Sequence, residues 1–204
     1  MRKIYILLSL LSPPTLAQSL YGVQGGISYF GGSERQNPHP STWSNGIAIS
    51  ALAEFHVWDA LSIRASGEFS FYRFEEYQFR GPTPGIGSIS SSIGEDSQSY
   101  SLLVECKLQS STPQILQLQF LTGLAVVSDQ FGEVFTTEQN FLTNQISVRK
   151  QPNNSSRYFA QTFAGGFQSF LFPRVGLDFV ARVYTDYSVR LNSSLNLGIV
   201  YRLE

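Results

Sequence analysis

Between residues 61 and 74 the chain is two interleaved sequences: Leu61, Ile63, Ala65, Gly67, Phe69 and Phe71 alternate with Ser62, Arg64, Ser66, Glu68, Ser70 and Tyr72. A period of two places each set on its own face of an extended strand, and a helix would mix them. The pattern recurs over 20–30, 45–55, 100–108, 114–127, 158–168, 175–184 and 195–203. Within 45–55, Ile47, Ile49, Ala51, Ala53 and Phe55 oppose Gly46, Ala48, Ser50, Leu52 and Glu54. Over 158–168 Phe159 and Phe163 share a face with Gln161, a polar residue on the apolar side. The alternation predicts eight strands of roughly ten residues, the length that crosses a bilayer obliquely. No stretch beyond Gln18 is an unbroken apolar run of the ~18 residues a transmembrane helix needs.

The connections alternate in length. Residues 31–44, 75–99, 128–157 and 185–192 are long, while 56–60, 109–113 and 169–174 are short. A soluble sandwich has no reason to follow this rhythm; an even-stranded membrane barrel does, with tight turns on the side of its termini and longer loops opposite. The expected fold is all-β: an eight-stranded antiparallel up-and-down transmembrane β-barrel over residues 18–204, preceded by a cleavable signal peptide at 1–17. Arg2 and Lys3, the apolar run 4–11, the Pro13-Pro14 break and the small residues Thr15 and Ala17 make that signal, with cleavage after Ala17. Segment 81–99, rich in Gly, Ser and Pro, reads as a mobile surface loop.

If the apolar face meets lipid, the other face lines the lumen. Parity then sends the acids Glu54, Glu68, Glu105 and Asp178 inward together with the bases Arg64, Lys107 and Arg182. In a lumen just wide enough for side chains, these groups are expected to pair and plug it; a narrow ion path lined by the same residues is the alternative. Aromatic residues near strand ends read as two interfacial girdles. Phe55, Trp58, Phe170, Phe172 and Tyr201 lie on the side of the short turns, and Tyr29, Phe71, Tyr158 and Tyr184 on the other. Cys106 shares the lipid-facing parity of Leu102, Val104 and Leu108 and reads as a buried, inert thiol.

Several chemistries are disfavoured. Fourteen Lys and Arg against 15 Asp and Glu, a net charge of −1, leave no basic surplus to neutralise a nucleic acid. A single cysteine excludes an internal disulfide and a thiolate-built metal site. His39, in Asn-Pro-His-Pro, falls in the first long loop and His56 in the first short turn, so neither is expected on a strand beside a serine and an acid. No catalytic triad, cofactor or metal is expected on that basis.

The final strand contains Asn196, Gly198, Tyr201 and Leu203 in a spacing that resembles the C-terminal signal of outer-membrane barrels. The resemblance implies insertion by the barrel assembly machinery. The pattern departs from the family's in carrying Leu203 where an aromatic is usual, with Glu204 one residue beyond. As a whole the chain resembles the small eight-stranded outer-membrane barrels of the OmpA and OmpX kind. That resemblance implies residence in the bacterial outer membrane, in contact with its lipid.

Function is then expected to be structural, or to be recognition through loops 31–44, 75–99 and 128–157, where a protein partner could bind. The third loop holds Phe131, Val134, Phe135, Phe141, Leu142 and Ile146, more apolar groups than a solvated loop needs, and is expected either to extend the barrel wall as a hairpin or to dock a partner. Two other classes stand as alternatives. A soluble lipocalin-like periplasmic barrel would bind a small apolar ligand and have the reverse parity, apolar inside. A lipid-modifying outer-membrane enzyme would depend on His39 or His56.

Overall fold

The computed structural model describes residues 19–31, 45–58, 60–74, 77–80, 88–110, 116–140, 143–186 and 191–203. The expected signal peptide with Ala17, most of the first long loop with His39, and Phe141 and Leu142 lie outside the described residues. Every described element is a strand: β1 (Ser19–Gly31), β2 (Asn45–Trp58), β3 (Leu61–Tyr72), β4 (Tyr77–Arg80), β5 (Ser88–Gly94), β6 (Ser97–Gln109), β7 (Gln117–Phe131), β8 (Val134–Asn140), β9 (Gln145–Gln151), β10 (Asn154–Phe170), β11 (Val175–Thr185) and β12 (Leu191–Leu203).

Eight of these close into an antiparallel barrel in the order β1-β12-β11-β10-β7-β6-β3-β2, and they are the eight that the alternation predicts. The seam is the pairing of β1 with β12, from Ser19 opposite Leu203 to Gly31 opposite Leu191. Partners followed once around the wall run Ser19, Phe55, Ile63, Cys106, Thr122, Phe163, Val183, Ser193 and back to β1 at Tyr29, ten residues beyond the start. The stagger is even, so each residue keeps its side on closure, and for eight strands it sets the tilt at roughly 40°.

The faces divide as parity requires. Val23, Ile27, Ile47, Ile49, Leu102, Val104, Leu118, Leu124 and Phe159 are exposed on the outside, all of them above 60%. The lumen holds the charged residues together with three apolar clusters: Leu20, Leu52 and Val200 with Phe170; Leu121, Ala164 and Val180; and Leu103, Ala125, Val127, Ala160 and Tyr184. Gln161 faces out, between the exposed Phe159 and Phe163.

The remaining four strands form a second sheet, β4-β5-β8-β9. Each continues a barrel strand, so β3, β6, β7 and β10 extend beyond the barrel in the same neighbour order. The joint is built locally. Glu95 N–H donates to the Glu133 carbonyl (2.9 Å), Gly132 N–H to Ser97 Oγ (3.2 Å) and Phe74 N–H to Asp96 Oδ1 (2.8 Å), while Tyr72, Phe74 and Val134 pack together with Phe131. In the β8–β9 turn Asn144 has φ 53°, a left-handed conformation that asparagine tolerates better than most residues.

Several expectations change. The segment read as a mobile loop, 81–99, contains β5 and the start of β6, because β5 finds a ladder partner in β8 that its Ser-rich composition does not reveal. The third long loop takes the first of its two expected forms, since it is mostly the β8–β9 hairpin, an extension of the wall. The fourth long connection shrinks to 186–190, since β11 and β12 pair out to Thr185 and Leu191. The short connection 109–113 shifts to 110–116, since β7 starts at Gln117. His56 lies on β2 rather than in a turn, at a register shift between His56 and Trp58. Tyr158 and Tyr184 leave the expected girdle: both have inward parity, and Tyr184 is only 4% exposed. Tyr100, together with Tyr29 and Phe71, completes the exposed outer rim instead. At the other end Phe170 turns in to the lumen cluster, leaving Phe55, Trp58, Phe172 and Tyr201 exposed. Cys106 keeps its expected parity, exposed on the outer wall with Leu102, Val104 and Leu108.

Candidate functional site

Two features stand apart from the lipid-facing wall: a polar network in the lumen and the protruding sheet. The seven charged residues sent inward by parity all lie in the lumen, none more than 6% exposed. They form two groups. In the first, on the side of the short turns, Arg64 donates through Nε (3.1 Å) and Nη2 (2.8 Å) to Glu54 Oε2 and through Nη1 to Asp178 Oδ2 (2.9 Å). Lys107 Nζ approaches the other oxygen of Glu54 at 2.7 Å. In the second, Arg182 donates Nε and Nη2 to the two oxygens of Glu105 at 2.9 and 2.7 Å and reaches Glu68 at 3.4 Å.

Amides and hydroxyls complete the network. Gln119 and Gln24 donate to the two oxygens of Asp178 at 2.6 and 2.7 Å, Ser50 donates to Gln24 at 3.1 Å, and Gln168 accepts from Lys107 at 3.2 Å. Asn196 and Ser194 donate to Glu68 Oε2 at 2.8 and 3.2 Å. A charge inside a low-dielectric wall costs several kcal/mol unless it is paired and its remaining lone pairs are occupied, and these partners supply both. Sequence reading missed Gln24, Gln119 and Gln168 because it counted only charges. Their inward parity was the available signal. Asn196, singled out as part of an assembly signal, is also the donor that helps hold Glu68.

Below this network Arg202 stacks on the Phe170 ring at 4.0 Å, beside Leu20, Leu52 and Val200. Above it, Glu68, Ser70, Tyr72, Ser101, Tyr184 and Asn192 help to line a void of about 10 Å³, the size of one water.

His56 Nδ1 lies 2.8 Å from Ser62 Oγ, and Glu54 lies two residues away on the same strand. This overturns the expectation that neither histidine sits on a strand beside a serine. Ser62 is fully buried, and the Glu54 carboxylate is committed to Arg64 and Lys107.

The remaining residues singled out for assembly lie on β12, where Gly198 faces in at the seam and Tyr201 and Leu203 are exposed outside. A Cβ on Gly198 would fall 2.1 Å from the Val23 carbonyl oxygen and 2.6 Å from Gln24 Cα. No larger residue fits where the last strand closes on the first.

On the protruding sheet, register puts Ile93, Phe135, Thr137, Ile146, Val148 and Lys150 on one face. The four apolar members are 40–65% exposed. Lys150 lies 5.4 Å from the Phe135 ring centroid and pairs with Glu133 at 2.7 Å. Among the described residues β9 pairs with β8 alone, so its other edge carries no ladder.

A closed barrel with hydrocarbon-compatible side chains outside, charges inside and aromatic rims at both ends defines a class, the small eight-stranded outer-membrane β-barrels. On β1, Tyr21 and Tyr29 bracket the belt, and the tilted strand between them rises roughly 20 Å. Solved structures of that class match over nearly the whole chain. Ail, the attachment invasion locus protein of Yersinia pestis, is 11% identical with a TM-score of 0.52, covering 92% of this chain and 99% of its own. Neisserial surface protein A is 11% identical with a TM-score of 0.52, covering 92% and 97%. A major outer membrane protein from Thermus thermophilus is 14% identical with a TM-score of 0.50, covering 91% and 99%. No family model and no curated protein matches the sequence.

Proposed function

We propose that this protein is an integral barrel of the bacterial outer membrane whose lumen is closed and whose task is recognition through the protruding sheet. The observation that carries the reading is the sheet itself. Four strands continue past the barrel wall and present exposed Phe135, Ile146 and Val148 beside Lys150. An apolar face next to a cation and an unpaired strand edge is a surface for another protein chain, which can add to the edge or cover the face. The paired lumen charges support closure, since Arg64 is held by Glu54 on the next strand and by Asp178 across the barrel, Lys107 by Glu54, and Arg182 by Glu105 across the barrel. Residues 1–17 would act as the export signal, and Asn196, Gly198, Tyr201 and Leu203 as the signal read by the barrel assembly machinery. A role without catalysis fits the sealed Ser62. The charged interior is the reverse of what a soluble barrel with an apolar ligand needs.

The test compares proteoliposomes carrying the wild-type barrel with proteoliposomes carrying a barrel lacking residues 133–148, on a panel of immobilised extracellular proteins. Binding that disappears with the hairpin, while both proteins keep a heat-dependent shift in SDS gels, is the expected result. Equal binding by both proteins would remove the sheet from the account.

A further inference from the structure

The lipid-facing wall is not uniformly filled. Ala51 pairs with Gly67 and Ala53 with Ala65, so four small outward residues form a two-by-two block across β2 and β3. Larger neighbours flank it in the same rows, Val23 and Tyr21 on β1 and Leu102 and Val104 on β6. Phe69 and Tyr100, ring centroids 4.9 Å apart, rise on its outer side. The result is two overlapping depressions of about 750 and 690 Å³ that share Ala51, Gly67, Leu102 and Val126. Alanine and glycine are weak strand formers, and local sterics do not require them here: a Cβ on Gly67 would meet nothing closer than Leu102 Cδ2 at 3.7 Å. Inward glycines are the opposite case, as with Gly123, whose Cβ would fall 2.1 Å from the Val104 carbonyl oxygen.

The second depression ends at a cation. Arg157 lines it, exposed on the outer wall two residues beyond Phe159. It shares a hydrogen-bonded row with Ser128 and the rim residue Tyr100. Among the described residues no carboxylate pairs with it. A guanidinium at the outer rim, above an apolar trough open to hydrocarbon, matches an amphiphile with a phosphate at its head and an acyl chain below.

We propose that this trough is a binding site for the phosphorylated glycolipid of the outer leaflet, lipid A, with one phosphate on Arg157 and one acyl chain across Gly67 and Ala51. The proposal rests on the bilayer placement of the belt. The trough takes up a chain that would otherwise pack against a smooth wall, and Arg157 fixes which end of the lipid faces out.

The full chain, expressed with its export signal and purified from outer membranes in neutral detergent, is titrated with lipid A, with its dephosphorylated form and with phosphatidylglycerol, and bound lipid is read by native mass spectrometry. Lipid A should bind at least tenfold more tightly than either of the others. R157Q should lose at least tenfold in affinity and the preference for phosphate, and the doubly filled variant Ala51→Leu with Gly67→Leu should also lose about tenfold with Arg157 intact. Gly165→Leu is the control, because a Cβ at that outward position meets nothing within 4 Å, and it should bind as wild type does. Unchanged binding by R157Q or by the filled variant would overturn the site. Equal binding of phosphatidylglycerol would overturn lipid A as its occupant. A wild-type dimer that the filled variant abolishes would overturn the proposal in favour of a second copy of the chain. Failure of the bilayer reading would show separately, as a chain absent from the membrane fraction with no heat shift.

Discussion

Arg182 on β11 and Glu105 on β6 meet across the lumen through two parallel hydrogen bonds, Nε to Oε1 at 2.9 Å and Nη2 to Oε2 at 2.7 Å. Their strands are not neighbours in the wall, so the pair ties opposite sides of the barrel together in a planar fork geometry that lysine could not reproduce.

Breaking that tie should be costly. Arg182→Met leaves Glu105 buried with its cation gone and removes one partner of Glu68, and should destabilise the folded barrel by about 3–5 kcal/mol. Urea unfolding in lipid vesicles reads the change. Arg182→Met combined with Glu105→Gln should recover a substantial part of it, because the uncompensated charge is then absent. A loss under about 1 kcal/mol for the single variant would mean that water already reaches the pair.

The paired lumen should not conduct. In planar bilayers the wild-type protein is expected to show no steady ohmic steps, because Glu54, Arg64, Lys107 and Asp178 are held together by mutual contacts of 2.7–2.9 Å. Regular steps that scale with salt concentration would make the same residues the lining of a path.

Cys106 reports directly on which face meets lipid. It is exposed on the outer wall, in the row with Ile63 and Thr122. In intact membranes it should resist a charged, water-borne methanethiosulfonate reagent yet react with a membrane-permeant maleimide, and in urea it should react with both. Rapid labelling by the charged reagent in membranes would place this face in water.

Glycines should divide by side. Gly123→Ala forces a methyl against backbone and should cost about 1–3 kcal/mol. Gly165→Ala points into open space and should be neutral, or stabilising by about 0.5–1 kcal/mol. Urea midpoints of the two variants measured side by side check the contrast, and equal effects would contradict the close approach of β6 to β7.

Much of the architecture was legible because a barrel wall obeys a rule of period two. Lipid on one side and a filled lumen on the other impose the alternation residue by residue, so the eight barrel strands and the inward set from Glu54 to Arg182 could be read directly. Parity also held the correct answer for Tyr158 and Tyr184, which the girdle reading overrode by assigning every aromatic near a strand end to the interface. Segments without alternation were misread, and β5 is the clearest case. Its residues 88–94 are Ser, Ile and Gly, and only pairing with β8 makes them a strand.

What the sequence determined by itself is therefore what depends on one residue and its solvent: which face each side chain takes, and where alternation starts and stops. What the tertiary structure decided is what depends on two distant residues meeting. It joined Arg64 of β3 to Asp178 of β11, gave Glu68 its donor Asn196, set two hairpins side by side as a sheet beyond the barrel, and gathered Ala51 and Gly67 into a trough that ends at Arg157. Those meetings follow from the ten-residue stagger of the closed wall, which fixes the height at which each strand presents its side chains and which no local pattern encodes.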